Sequence, residues 1–312
     1  SGGMEGTLVG YLLVLALIIA APWLRENVRK PMTKARRQAA PGDFVRLSQG
    51  VTHYQWHGPA RGPVVVAIHG LTTPSIVWKA LIPGLSALGF RTLTYDLYGR
   101  GFSDRAPGDQ TRAFFLTQLR DLLADQGLED DLILMGYSMG GSIATAFAAA
   151  EPDRVRRIIL LAPAGIEMAP GKLAEFARDT PIIGDWLMLA LGSWRLRQGI
   201  LRGTGDPLVD EIGKVQIKAL GDKGVLPAVL SSQRGMLAER LEEEHRAISR
   251  ADIPVLAIWG RDDNVIPIQA LGTLAQWNRV ARQDVIDSAG HALPFTHPDD
   301  ASAFITEVLR EG

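Results

Sequence analysis

Six short runs constrain this chain more than any other feature: PVVVAIHG at 63–70, FRTLTYD at 90–96, DLILMGYS at 131–138, RRIILLAP at 156–163, IPVLAIWG at 253–260 and RQDVIDSAG at 282–290. Several are almost continuously apolar, the pattern of strands buried on both faces in a parallel sheet covered by helices. The stretches between them, SIVWKALIPGLSALG, RAFFLTQLRDLLADQG and GSIATAFAAAEPDRV, carry apolar positions at helical spacing. Alternating β and α units therefore predict an α/β fold with a mostly parallel sheet. Ahead of the first run, DFVRLSQG and VTHYQWHG read as a hairpin with Gly50 near its turn. At 312 residues, with 46% hydrophobic and 21% charged residues, the chain has room for one substantial core plus an insertion, and disorder is excluded.

The alternation breaks after Pro163. From 165 to 251 no strand-like run occurs, and PIIGDWLMLALGSWRLRQGILRG, DEIGKVQIKALG and QRGMLAERLEEEHRAISR read as helices. Strands resume at Ile253, so this segment is predicted to be a helical cap that leaves and rejoins one sheet. The core is then 42–164 together with 252–312.

The amino-terminal end is of another kind. Ser1–Gly3 precede Met4 and read as the remnant of a cleaved tag, so 1–5 are set apart from the fold. Gly6–Leu24 carry no charge, and at 1.5 Å per residue these 19 residues extend about 28 Å, close to the thickness of a hydrocarbon core. A cleaved signal peptide and a buried core helix compete with a transmembrane helix here. Glu5 before the run and Pro22 directly after Ala20 and Ala21 speak against cleavage. The segment 25–41 comes next, with Arg25, Arg29, Lys30, Lys34, Arg36 and Arg37 against a single Glu26, a local charge of +5 that leaves the rest of the chain at −6. Cations directly after a span favour a cytoplasmic location for the globular part and suit anionic headgroups, although a solvated linker explains them too. The expectation is a single-pass protein of a bacterial inner membrane with its globular part in the cytoplasm, the periplasmic orientation remaining open. Gly6 and Gly10 form a G-x-x-x-G pair at the start of the span, which allows a homodimer. A formal net charge of −1 offers no global attraction to nucleic acid, and the absence of cysteine removes thiolate metal sites and a cysteine nucleophile.

The chemistry centres on Gly136-Tyr137-Ser138-Met139-Gly140, placed between a strand and a helix. A serine on such a tight turn is a nucleophile elbow, in which flanking glycines let strand and helix crowd together. The pentapeptide alone also fits an ordinary turn, so its context is what counts. Serine needs a base and a group to orient it. His291 lies in a loop after the last strand. His53 and His57 in the hairpin, His245 in a charged helix and His297 before Pro298 read as surface or capping residues, and His69 is a rival base. Asp262 and Asp263, after IPVLAIWG, offer the acid.

His69-Gly70, the loop DLYGRGFSD at 96–104, the elbow GYSMG, the loop GRDDNVIP at 260–267 and Gly290-His291 together resemble the α/β-hydrolase family from about residue 43 to the end. The resemblance implies an α/β-hydrolase fold with Ser138, Asp263 and His291 as a catalytic triad, Asp262 being left to the turn. It implies an oxyanion hole from the backbone N–H groups of Leu71 and Met139, with His69 shaping that loop and Gly99-Arg100-Gly101 forming a turn rather than a phosphate site. No metal or cofactor is implied. A serine at the elbow argues against dehalogenase-like and epoxide-hydrolase-like members. The anchor, and a cap dense in Trp186, Leu187, Met188, Leu189, Leu191 and Trp194 with Arg195, Arg197 and Arg202 beyond, point to membrane lipids or acyl esters as substrate. In this respect the chain is similar to membrane-anchored monoacylglycerol lipases and phospholipases. An amidase or thioesterase with the same triad and a non-catalytic binding protein are the alternatives.

Overall fold

A computed structural model describes residues 2–312. The apolar start of the chain forms one long helix, α1 (Gly2–Asn27), and its Gly3–Asn27 stretch, within which an 18-residue window has a mean hydropathy of 2.3, is long and apolar enough to cross a membrane; a signal sequence has the same character. A short helix α2 (Lys34–Arg37) comes after it, capped by the Thr33 side chain. The basic segment around it is not a free linker. Arg36 Nη2 donates to both Asp222 carboxylate oxygens at 2.9 and 3.0 Å, Arg37 pairs with Asp104, and the Lys223 backbone N–H donates to the Lys30 carbonyl. Cations that the sequence offers to headgroups are thus partly spent on the protein's own carboxylates.

Eight strands then form one sheet in the order β1-β2-β4-β3-β5-β6-β7-β8. The hairpin is β1 (Asp43–Arg46) and β2 (Val51–His57), and β2 lies antiparallel against β4 (Arg91–Tyr95). All other pairings, among β3 (Val64–Ile68), β4, β5 (Leu132–Tyr137), β6 (Val155–Leu161), β7 (Val255–Gly260) and β8 (Arg282–Ile286), are parallel. Every residue of β5 and β7 is buried, which is why their sequences do not alternate. One face is covered by α4 (Arg112–Asp125), whose start is capped by Thr111, and by α5 (Met139–Ala150). The other face is covered by α3 (Ile82–Ala87) and by the terminal helices.

Between β6 and β7 lie α6 (Lys172–Asp179), α7 (Ile183–Gln198), α8 (Pro207–Ala219), α9 (Val225–Arg234) and α10 (Glu242–Arg250). Asp206 caps α8 through the Leu208 and Val209 N–H groups, with Pro207 at its first position. The single helix expected over 233–250 is broken at Gly235, where a Cβ would lie 2.4 Å from the Gln110 carbonyl oxygen. Its second half, α10, packs on α5 and on α11 (Gln269–Trp277) with His245 and Ile248 buried, so the inserted stretch rejoins the core layer before residue 251. The chain closes with α12 (Leu293–Thr296) and α13 (Pro298–Arg310).

Candidate active site

Ser138 sits between β5 and α5 with φ 54° and ψ −119°, a conformation that L residues seldom adopt. Its surroundings over-determine it. A Cβ on Gly136 would lie 2.4 Å from the Gly140 oxygen, and one on Gly140 would lie 2.0 Å from the Ile68 oxygen. The Ser138 N–H donates to the Leu161 carbonyl at 3.1 Å, and its own carbonyl accepts from Gly141 and Ala164 N–H at 2.9 and 3.0 Å. Strain of this kind persists only where the fold fixes it, and it presents the hydroxyl beyond the end of the strand.

The Ser138 Oγ lies 3.0 Å from His291 Nε2, and His291 Nδ1 lies 2.8 Å from Asp263 Oδ2. The other Asp263 oxygen accepts from Val265 and Ile266 N–H at 2.8 and 2.9 Å, so the buried carboxylate is fixed from both sides. A carboxylate facing Nδ1 selects the tautomer that carries its proton there and leaves Nε2 to accept from the serine hydroxyl. The Tyr137 hydroxyl donates to the His291 carbonyl at 2.9 Å and steadies the loop. Asp262 is exposed and contributes only a turn, its N–H donating to the Ala289 carbonyl.

Opposite the hydroxyl, the Gly70-Leu71 backbone passes so close that a Cβ on Gly70 would lie 3.1 Å from Ser138 Cβ. The N–H groups of Leu71 and Met139 donate to no backbone carbonyl in the turns, loops and caps of the described residues. His69 holds this loop. Its Nδ1 donates to the Gly70 carbonyl at 2.8 Å and its Nε2 accepts from Leu97 N–H at 2.9 Å, an arrangement that requires a neutral ring. Burial pushes its pKa down to about 4.

The other histidines lie away from Ser138. His57 meets Thr94 in the sheet, and His297 meets Ser288 and Thr296. Two depart from the surface or capping role read from the sequence, because the elements that carry them lie on the core. His245 is fully buried, its ring 5.9 Å from that of Trp277 and both nitrogens without a hydrogen bond, and burial pushes its pKa down to about 4. His53 is buried between Asp96 Oδ2 at 2.8 Å and the Pro41 carbonyl at 2.5 Å. Both partners only accept, so the ring carries both protons. Burial works against that charge, but the Asp96 contact outweighs it and raises the pKa.

Sequence reasoning passed over Arg100, read only as part of a turn. It is fully buried and faces no carboxylate among its hydrogen-bond partners: Nε donates to the Leu71 carbonyl at 2.9 Å, one terminal nitrogen to Ser232 Oγ on α9 at 2.8 Å, and the other to the Tyr98 carbonyl at 2.9 Å and the Gln110 side chain. Burial lowers its pKa to about 9. The guanidinium therefore ties the loop beside Ser138 to the cap. A glycine-flanked arginine in an otherwise acidic and apolar loop was the only signal for it.

A cavity of about 560 Å³ lies elsewhere, between the 32–41 segment, the hairpin and α8, with Met32, His57, Phe102 and Val215 among its walls and no member of the Ser138 cluster. Among the described residues, no group of three or more His, Asp and Glu is disposed to hold a metal ion.

The alpha/beta hydrolase family pattern matches residues 65–303, a span that takes in Ser138, Asp263 and His291. The chain belongs to the alpha/beta hydrolase family. A pimeloyl-[acyl-carrier protein] methyl ester esterase of Aromatoleum aromaticum is 29% identical over 257 residues, 80% of this chain and 98% of that protein. A 2-hydroxymuconate semialdehyde hydrolase of Pseudomonas sp. is 27% identical over 271 residues, covering 82% and 89%. In fold, the chain matches a carboxylesterase from Bacillus subtilis with a TM-score of 0.72 at 22% identity, over 95% of this chain and 99% of that one.

Proposed function

We propose that this hydrolase is a membrane-anchored serine enzyme that cleaves acyl esters of lipids, with Ser138 as nucleophile, His291 as general base and acid, Asp263 as the orienting carboxylate, and the Leu71 and Met139 N–H groups as the oxyanion hole. The unbroken contact from Ser138 Oγ through the imidazole to a fixed carboxylate carries this reading. His291 Nε2 takes the hydroxyl proton as Oγ attacks the acyl carbonyl, and the two N–H groups receive the negative charge on the carbonyl oxygen. The start of α5 adds the positive end of a helix dipole at the same place. Collapse breaks the ester bond, and the imidazolium returns its proton to the departing alcohol. Water, deprotonated by His291, then attacks the acyl-enzyme, releasing the fatty acid and restoring the serine.

The choice of ester draws support from a relative named as an esterase, and the choice of lipid from the apolar α1 and the apolar cap. Thioester or amide hydrolysis of an acyl substrate at the same serine is the second reading; the name of one relative supports an acyl-carrier substrate, although the bond it names is a methyl ester. A purely binding role fits poorly with three residues in hydrogen-bond reach. Topology is taken from the basic segment, with the hydrolase cytoplasmic, and a homodimer would use Gly6 and Gly10, beside which α1 is open. The test is hydrolysis of esters of graded chain length against matched amides and thioesters. Faster turnover of long-chain esters than of short ones, with amides and thioesters slow, supports the proposal; a preference for thioesters moves it to the second reading.

A further inference from the structure

Large apolar side chains that remain exposed are not scattered over this molecule. Among the described residues beyond α1 and Val28 they are Leu173, Phe176, Ile182, Ile183, Leu191, Trp194 and Leu201, with Val280 the one outlier. The seven fall within 29 residues of the cap, on α6, α7 and their flanks. On α7 the positions Ile183, Leu187, Leu191 and Trp194 are three or four residues apart and so share one side of the helix. Ordinarily such a stripe faces the core. Here the inner side of α7 is made instead by Leu189, which clusters with Leu220 and Leu226, and by Gly192, also beside Leu226, while Gly184 is buried against the Ala177 carbonyl of α6; the stripe is left outward with three of its four members exposed.

The place of this face in the fold says what covers it. The helix α7 packs beside α1, and the indole N–H of Trp186 reaches the Ile18 carbonyl at 3.3 Å. Ile18 stands about 10 Å along the helix axis from Arg25, the first charge after the apolar run, at 1.5 Å per residue. The cap therefore lies alongside the apolar part of α1 rather than below it. Exposed Lys172, Arg195, Arg197 and Arg202 flank the apolar residues and outnumber the exposed Glu175 and Asp179 of α6, so cations predominate around the apolar face, as in a helix that rests in a bilayer interface. We infer that α6 and α7 form a second membrane-contact surface, embedded beside α1 in one leaflet, whose partner is the lipid bilayer itself. The inference rests on reading α1 as a membrane span. From this surface α7 packs in turn on α9, whose Ser232 accepts from Arg100, the residue that donates to the Leu71 carbonyl.

The chain has no cysteine, so single cysteines can report on single positions. Leu15→Cys in α1, Phe176→Cys, Ile183→Cys and Trp194→Cys in the cap, and Val280→Cys outside it are nitroxide-labelled in the full chain and reconstituted in vesicles of phosphatidylethanolamine and phosphatidylglycerol. Collision with oxygen is compared with collision with a water-soluble nickel chelate. Fluorophosphonate labelling confirms that each variant is folded. The expected result is an oxygen excess at 15, 176, 183 and 194, and a nickel excess at 280. Nickel exposure at 176, 183 and 194 like that at 280, with 15 still oxygen-rich, overturns the inference while leaving the anchor intact. Nickel exposure at 15 removes the anchor and the inference together. Shielding of the three cap positions from both reagents would show protein, such as a second copy, on this face and would also overturn it.

Discussion

The elbow around Ser138 runs into a helix of mostly small residues, MGGSIATAFAAA, whereas the cap helix α7 carries large apolar ones, two Trp and four Leu among them, and the two end up opposite in character. In α5 every residue from Met139 to Ala148 is buried, and Gly136 and Gly140 stand where a methyl group would meet backbone within 2.4 Å. In α7 only three residues are buried, and its apolar stripe faces outward. The elbow is completed by the chain's own packing. The apolar face of the cap is left exposed, and on the inference drawn above it is the bilayer that covers it, which separates the part of the molecule that sets the chemistry from the part that meets its surroundings.

The sharpest way to break that division is at the elbow and its partners. Ser138→Ala or His291→Ala should lower turnover by about 10⁴-fold or more, with a residue of activity left by the oxyanion hole. Asp263→Asn should cost far more than Asp262→Asn, measured as kcat/KM on one ester; the reverse order would assign the acid to the wrong carboxylate.

Stability should divide along the same line. Gly140→Ala places a methyl group 2.0 Å from a backbone oxygen that cannot yield, and should cost about 3–5 kcal/mol in denaturant unfolding. Gly203→Ala, in the loop after α7 with φ +64° and open space around it, should cost only about 1 kcal/mol, the strain of a positive φ alone.

A smaller effect tests the buried histidines. His245 is neutral in the fold because burial lowers its pKa to about 4, whereas the unfolded chain takes up a proton near pH 6.5. The stability gained from the neutral ring is present above pH 6.5 and is lost as pH falls from there toward 4. His245→Leu should reduce the loss of unfolding free energy between pH 7 and pH 5 by up to about 2 kcal/mol. His53 works in the other direction, since its raised pKa gives stability that is full below pH 6.5 and declines as pH rises through the folded value. The smallest change is expected at the cap surface, where Ile183→Ser should shift unfolding in detergent by no more than about 0.5 kcal/mol.

How much of the molecule was legible in the sequence depends on where each pattern is satisfied. All eight strands are where apolar runs or the hairpin pattern placed them, because their burial is decided by the sheet itself. The turns GYSMG, GRDDNVIP and Gly290-His291 bring three side chains together, each within 3.0 Å of the next. Less could be read where a residue's role depends on distant chain. The break at Gly235 is set by the Gln110 carbonyl, Arg100 by α9 and the Leu71 carbonyl, and His53 by Asp96 and Pro41, contacts that no local pattern announces. The basic segment was misleading in part for the same reason, as Asp104 and Asp222 lie far along the chain from Arg37 and Arg36.

If Ser138 is an activated nucleophile, a fluorophosphonate should find it, and mapping the site of the adduct decides the matter. The full chain in detergent or vesicles is treated with the probe, digested and analysed by peptide mass spectrometry, alongside Ser138→Ala and His291→Ala. One adduct is expected, on Ser138, absent from the first variant and formed far more slowly in the second. An adduct on another residue, no adduct on the folded protein, or labelling unaffected by loss of His291 would contradict it.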